Sequence, residues 1–330
     1  MSPADGGPGL PLTDAPATRR RLVGTADGTV SAAYGSGEWG LLVALASIWG
    51  SSFLWMEYGL DSFAPGVVTL ARVALGALAL VAIPRARKPI DREDWPQVLL
   101  LGVIWTGIPL TLFPIAQQWI DSSLAGMINA GVPLTSAVWA TILLRRLPGR
   151  AQTTGILIGF FGVALLSAPK LVGADATALG TALVLLAVIL YGLSTNMAVP
   201  LQQRYGSLPV ILRMQLVAIL VVLPYGLYGL PRSTFTWGSA IAMLPLGMLG
   251  TGVAFVLMTT LVGRVGGPRG SLPIYFVPIV AIALGVIFRG DAIATTSIIG
   301  TALIIGGAWI ASRAEVARLP VPARQPSASS

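Results

Sequence analysis

The chain has 330 residues, of which 55% are hydrophobic and only 10% charged, and it carries a net charge of +8. Soluble chains carry about 25% charged residues, so composition excludes a water-soluble protein of this length, and the basic residues, which lie between apolar runs, read as topology signals and not as a nucleic-acid patch. There is no cysteine and no histidine, which excludes disulfides and thiolate chemistry and removes the usual general base and commonest metal ligand; no metal, no cofactor and no nucleic-acid partner is expected.

Residues 1–37 are rich in Gly, Pro, Ala, Thr and Ser without apolar periodicity, and a disordered cytoplasmic tail is expected there. Arg19, Arg20 and Arg21 are not followed directly by an apolar run, so they are not read as a signal peptide. A bilayer-spanning helix needs roughly 20 mostly apolar residues. Ten stretches qualify, at 39–57, 65–84, 96–116, 122–144, 152–169, 180–200, 209–230, 238–262, 268–288 and 297–312. Pro109, Pro114, Pro133, Pro273 and Pro278 fall inside spans, where they free backbone carbonyls that neighbours or water must satisfy. Pro133 and Pro278 are the predicted helix-kink positions. With the N-terminus inside, sixteen of the 21 basic residues fall on the cytoplasmic side, three (Lys170, Arg232, Arg289) outside, and two (Arg72, Arg213) within spans. That bias predicts a multi-pass protein of the inner membrane with both termini cytoplasmic.

The stretch from Leu99 to Ser167 recurs 145 positions later. Gly102 meets Gly247, Thr106 and Gly107 meet Thr251 and Gly252, Pro133 meets Pro278, and Gly155 and Gly162 meet Gly300 and Gly307. The first helices of the halves match at an offset of 142, with Trp49-Gly50 on Tyr191-Gly192, and Arg72 falls one position from Arg213. Five helices per half is an odd number, so the second copy enters the membrane from the opposite side. The expected fold class is an all-α membrane protein of ten transmembrane helices in an inverted 5+5 repeat. The copies are 38–170 and 178–313, and a second disordered tail covers 314–330.

Ile48-Trp49-Gly50-Ser51-Ser52-Phe53, Ser62-Phe63-Ala64-Pro65 with Leu70-Ala71-Arg72, the prolines at 133 and 278, and the paired glycines 155/162 and 300/307 together resemble the EamA family of the drug/metabolite transporter superfamily. The resemblance covers about 40–312 and implies the ten-helix fold and export of small metabolites. It also implies a glutamate nine residues before the helix 5 and helix 10 glycines. Here those positions hold Arg146 and Asp291, a charge reversal and a conservative change.

Intramembrane charges usually face a cavity or a partner, because one at a helix centre costs about 2.5–3.5 kcal/mol on insertion scales. Arg72 therefore reads as an anion contact or a gate ion pair with Glu57 or Asp61, against the alternative of an arginine snorkelling to the interface. Arg213, closer to a helix end, reads as a gate or coupling candidate with a stronger structural alternative. Trp49 and Tyr191, repeat-related and mid-span, are candidates to line a cavity and stack on a flat or cationic substrate; ordinary packing is the alternative. Trp105, Trp139 and Phe113 are left open between cavity and lipid. Asn129, Asn196 and Gln215 are candidates to hydrogen-bond substrate or, alternatively, neighbouring helices. Gln118 reads as a gate candidate at the outer end of helix 3. No carboxylate is central in a span; Glu57 is nearest and is the coupling candidate.

These features favour a secondary transporter, by resemblance an exporter, moving small metabolites such as amino acids or amphipathic compounds by alternating access. Its partners are a small-molecule substrate and the lipid bilayer. A passive channel or facilitator is the alternative. An intramembrane enzyme is disfavoured because no lysine lies within a span and His and Cys are missing. The glycine clusters lack the lysine of a nucleotide site, so no ATP is expected. Gly155 and Gly159 have the spacing for close helix packing, read as packing within one monomer rather than a dimer interface.

Overall fold

The computed structural model describes residues 22–30, 32–120, 122–171, 178–289 and 295–313, and the regular structure in them is all helical. In chain order the helices are α1 (Ser36–Leu60), α2 (Pro65–Val81), α3 (Arg92–Ala116), α4 in two pieces (Ser122–Asn129 and Val132–Leu144), α5 (Arg150–Leu171), α6 (Ala178–Tyr205), α7 (Ser207–Arg232), α8 (Trp237–Val265), α9 (Pro273–Arg289) and α10 (Thr295–Arg313). Five of them, α1, α3, α6, α7 and α8, are long and apolar enough to cross a membrane. The shorter apolar helices are α2, the second piece of α4, and the stretches Arg150–Leu165 and Ile298–Ala311 of α5 and α10.

Prolines and glycines set the irregularities. Pro65 starts α2 after the extended Ala64, where its missing N–H is harmless. Within α3 the ladder switches to π-helix over Gly102–Gly107, just before Pro109. In α8 it does so over Pro245–Val253. In both places a proline withholds an N–H and glycines tolerate the wider turn. α4 is interrupted at Ala130 and Gly131 and restarts with Pro133 in its first turn; Pro133 has no N–H to give the carbonyl four residues back, and its ring crowds that carbonyl. The kink expected at Pro133 is thus a full break between two pieces, whereas Pro278 lies inside a continuous α9.

The packing pairs exchange partners in an orderly way. α5 packs on α10 and α2 on α7; α1 packs on α9 as α6 does on α4, and α2 packs on the π stretch of α8 as α7 does on that of α3. α5 and α10 run antiparallel at very close range. A Cβ on Gly155 would lie 2.5 Å from the Gly307 carbonyl, and one on Gly162 would lie 2.8 Å from the Gly300 carbonyl. Only glycine permits backbones to approach so closely.

One end of the bundle is basic. There Arg204 and Tyr205 of α6 bind Asp94, Arg213 reaches the loop after α2, and Arg264 meets Glu38. At the opposite end Ser62 bonds Thr236, the Ala64 N–H donates to Ser233, and Ser239 donates to the Tyr58 carbonyl.

The expectation of a structureless tail over 1–37 does not hold for its described part. The Val30 N–H donates to the Arg264 carbonyl at 2.7 Å, Tyr34 is buried, and α1 begins at Ser36, ahead of the predicted boundary. The segment is held by backbone hydrogen bonds together with Tyr34, Ala26 and Val30, which pack on the core without forming a periodic apolar face. Residues 1–21, 314–330 and Asp291 lie outside the described residues.

The α5–α10 contact generates a prediction. Gly307→Leu should destabilise the protein by roughly 1–3 kcal/mol through overpacking, read as a lower Tm in detergent. Gly306→Leu, whose Cβ meets nothing within 4 Å, should leave Tm nearly unchanged.

Candidate functional site

A cavity lies between α1, α2, α3, α4, α6, α8 and the start of α9. Its walls are Trp49, Ser52, Phe53 and Met56 of α1, Arg72 of α2, and Trp105, Leu110 and Phe113 of α3. Asn129 and Val132 at the α4 break, Tyr191 and Thr195 of α6, Phe255 and Met258 of α8, and Ile274 of α9 complete them.

The aromatic rings form two runs. Trp49 meets Phe255 edge to face with centroids 5.8 Å apart, and Phe255 meets Trp105 at 5.5 Å. Tyr191 stacks on Phe113 at 6.0 Å, and Phe113 meets Phe53 at 6.3 Å. Such spacing lies in the attractive range for ring pairs and keeps the walls stiff.

The π stretch of α8 holds the polar side of the site. A π turn loosens the i→i−4 ladder and leaves carbonyls free for other donors. The Trp49 indole N–H donates to the Gly250 carbonyl at 3.0 Å. The Gln215 amide donates to the Thr251 carbonyl at 2.7 Å. The Thr251 hydroxyl donates to the Leu246 carbonyl, five residues back, and accepts the Arg72 Nε–H at 3.1 Å. Two adjacent residues thus fix three side chains from α1, α2 and α7.

Arg72 is only 5% exposed. Its Nη1 also lies 3.9 Å from the Met56 sulfur, and among the described residues it makes no ion pair. Glu57 and Asp61 are exposed at the end of α1, so the expected gate pair with either is not formed. A buried charge without a counter-charge is costly, and a guanidinium held by its Nε keeps its other N–H groups for an anion. Asn129, the last residue of the first α4 piece, has a buried Oδ1 without a hydrogen-bond partner. The cavity therefore offers one cationic donor, one amide acceptor and an aromatic body.

Of the predicted substrate contacts, Trp49, Arg72, Asn129 and Tyr191 come together on this cavity. Asn196 and Gln215 do not line it. The Asn196 amide donates to the Ser136 carbonyl, the Ser136 hydroxyl and the Gly192 carbonyl, joining α6 to α4. Gln215 braces the π stretch from behind. Arg213 donates to the Ala86, Arg87 and Pro209 carbonyls at the basic end. Glu57 and Gln118 are exposed towards the other end. Trp105 and Phe113, left open on sequence, are cavity walls, whereas the Trp139 indole bonds the Ile189 carbonyl.

Phe53, Met56, Leu110, Thr195, Phe255, Met258 and Ile274 were missed. The repeat register holds the signal for most of them. An offset of 142 takes Phe53 to Thr195, and 145 takes Leu110 to Phe255, Phe113 to Met258 and Asn129 to Ile274.

Removing the Thr251 hydroxyl leaves the buried Arg72 Nε–H without an acceptor, which costs about 1–3 kcal/mol. Thr251→Val should therefore lower Tm in detergent by several degrees, and Thr251→Ser, which keeps the acceptor, should restore most of it.

A model of the EamA-like transporter family matches the chain twice, over residues 38–168 and 178–313. A crystal structure shares the fold with a TM-score of 0.71 at 18% identity, covering 84% of this chain and 97% of its own. Among curated relatives, an uncharacterized transporter of Archaeoglobus fulgidus is 22% identical over 84% of this chain and 99% of its own length. A protein of Streptantibioticus cattleyicolor named a probable terminal-alkyne amino-acid exporter is 25% identical over 85% of this chain and 94% of its own. A protein of Salmonella typhimurium named a probable amino-acid metabolite efflux pump is 24% identical over 82% of this chain and 93% of its own. With both halves matched, the chain belongs to the EamA-like transporter family.

Proposed function

We propose that this protein is a secondary carrier that exports small amphipathic carboxylates, amino acids among them, across the inner membrane. The carrying observation is the buried Arg72 guanidinium, without an ion pair among the described residues, set in an aromatic cavity. A substrate carboxylate would bind the Arg72 Nη groups. A donor group, such as an ammonium, would reach Asn129 Oδ1, and an apolar or aromatic side chain would lie against Trp49, Phe113 and Tyr191. The polar groups are few and the walls apolar, the usual make-up of a small-molecule site. Export is supported by the names of the Streptantibioticus and Salmonella relatives.

The mechanism proposed is alternating access by two inverted five-helix copies, ten spans in all, with both termini cytoplasmic. Two observations support inversion. The family model matches two consecutive segments. Repeat-related α5 and α10 also run antiparallel, with Gly155 against Gly307 and Gly162 against Gly300; a twofold axis in the membrane plane produces this swap. The break in α4 and the π stretches of α3 and α8 lie beside the cavity, where interrupted helices in transporters accommodate movement. Monomeric function without ATP belongs to the same reading.

Counterflow in proteoliposomes with a panel of amino acids and organic acids tests it. Saturable uptake of carboxylates is expected. Arg72→Ala should weaken apparent affinity roughly 10- to 100-fold, from the ~1.5–3 kcal/mol of a charge-assisted hydrogen bond, with normal elution on size exclusion. Equal flux of carboxylates in the folded Arg72→Ala variant would overturn the site assignment.

A further inference from the structure

Residues 22–30 and 32–35 precede the first family match, which begins at residue 38, yet they are seated on the basic end. The Gln203 amide of α6 donates to the Asp27 carbonyl at 2.7 Å. The Val30 N–H donates to the Arg264 carbonyl of α8 at 2.7 Å. Arg269, 1% exposed in the turn before α9, donates to the Val30 and Ala32 carbonyls at 3.3 and 2.7 Å. The Tyr34 hydroxyl donates back to the Arg269 carbonyl. Asp27 pairs with Arg146, just past α4. Gly28 lies so close that a Cβ there would be 2.5 Å from the backbone of Arg264, Val265 and Gly266.

Of the elements joined in this way, α4, α6 and α8 carry cavity walls, and the turn leads directly into α9, which carries Ile274. Along α8, Leu261 and Val262 come between the wall residue Met258 and Arg264, and Leu272 comes between Arg269 and the wall residue Ile274; all three are buried. The segment bridges the α4–α6 pair, through Arg146 and Gln203, to α8 and the turn into α9, through Arg264 and Arg269. Arg146, which stands where the family resemblance implies a glutamate, is the residue that reaches Asp27; a glutamate there would repel it.

We infer that residues 27–30 and 32–34 form a latch, seated across α4, α6, α8 and the turn into α9, that holds the basic end of the cavity shut. The Asp27–Arg146 pair is more than half exposed on both sides and so contributes little. The backbone hydrogen bonds and the buried Arg269 carry the hold. Loosening them shifts the local opening equilibrium without unfolding the bundle.

The consequence for transport rests on the alternating-access reading, but access itself can be measured without a substrate. The chain has no cysteine, so Val262→Cys gives a single reporter beneath the latch. In nanodiscs, maleimide labelling of this reporter should accelerate about 5- to 30-fold when residues 2–30 are deleted, the factor that one or two lost hydrogen bonds produce. Gly28→Val, which pushes the segment off its backbone seat, should act in the same direction in the full chain. Size exclusion and Tm establish that each variant is folded. Unchanged labelling in both folded variants overturns the latch. Faster labelling in a protein that moves no carboxylate leaves the latch standing and overturns the transport reading alone.

Discussion

The site depends on a defect in one helix. Over Pro245–Val253 the α8 backbone is π-helical, so that the Gly250 and Thr251 carbonyls receive the Trp49 indole and the Gln215 amide, while the Thr251 hydroxyl receives the Arg72 Nε–H. In a regular α-helix those carbonyls would be committed to the N–H groups four residues on. The same two residues therefore orient an aromatic wall and the buried cation. Gly247 and Gly252 allow α2 to approach the stretch at the point where it carries Arg72 and Gly76. Proline 245, the glycines and Thr251 together make a local irregularity that would weaken an isolated helix into a bracket for three others.

The scaffold is paired, but the chemistry is one-sided. Gly50 of α1 meets Val280 of α9, and Gly192 of α6 meets Thr135 of α4; the repeat offsets turn each contact into the other. The polar groups do not obey this exchange. Arg72 lines the cavity, whereas Arg213 caps carbonyls at the basic end. Asn129 offers an amide where its counterpart is Ile274, and Trp105 fills space where its counterpart is Gly250. Symmetric backbones suit a bundle that rocks between two states.

Much of this was legible in the sequence. The repeated glycines and prolines announced the duplicated helices, and Trp49, Arg72, Asn129 and Tyr191 stood out as mid-span residues that are costly or repeat-related. What was not legible depended on contacts between distant segments. Asn196 and Gln215 have the same chemistry as Asn129, and only packing decides that their amides meet Ser136 and Thr251 and not the cavity. Phe255 and Met258 looked like ordinary apolar residues. The segment around Val30 carried no periodic apolar pattern because backbone groups make much of its contact and the few apolar side chains that pack, Ala26, Val30 and Tyr34, do not recur at helical spacing.

The central claim is that Arg72, held by Thr251, recognises a carboxylate inside an aromatic cavity. The most direct measurement is the ratio of dissociation constants for an aromatic amino acid and its carboxamide, which lacks the carboxylate charge, titrated by tryptophan fluorescence on the protein and on Arg72→Gln. A ratio of about 10 or more in the parent protein, from a charge-assisted hydrogen bond, and a ratio near one in Arg72→Gln is the predicted result. An equal preference for the carboxylate in both proteins would contradict the account.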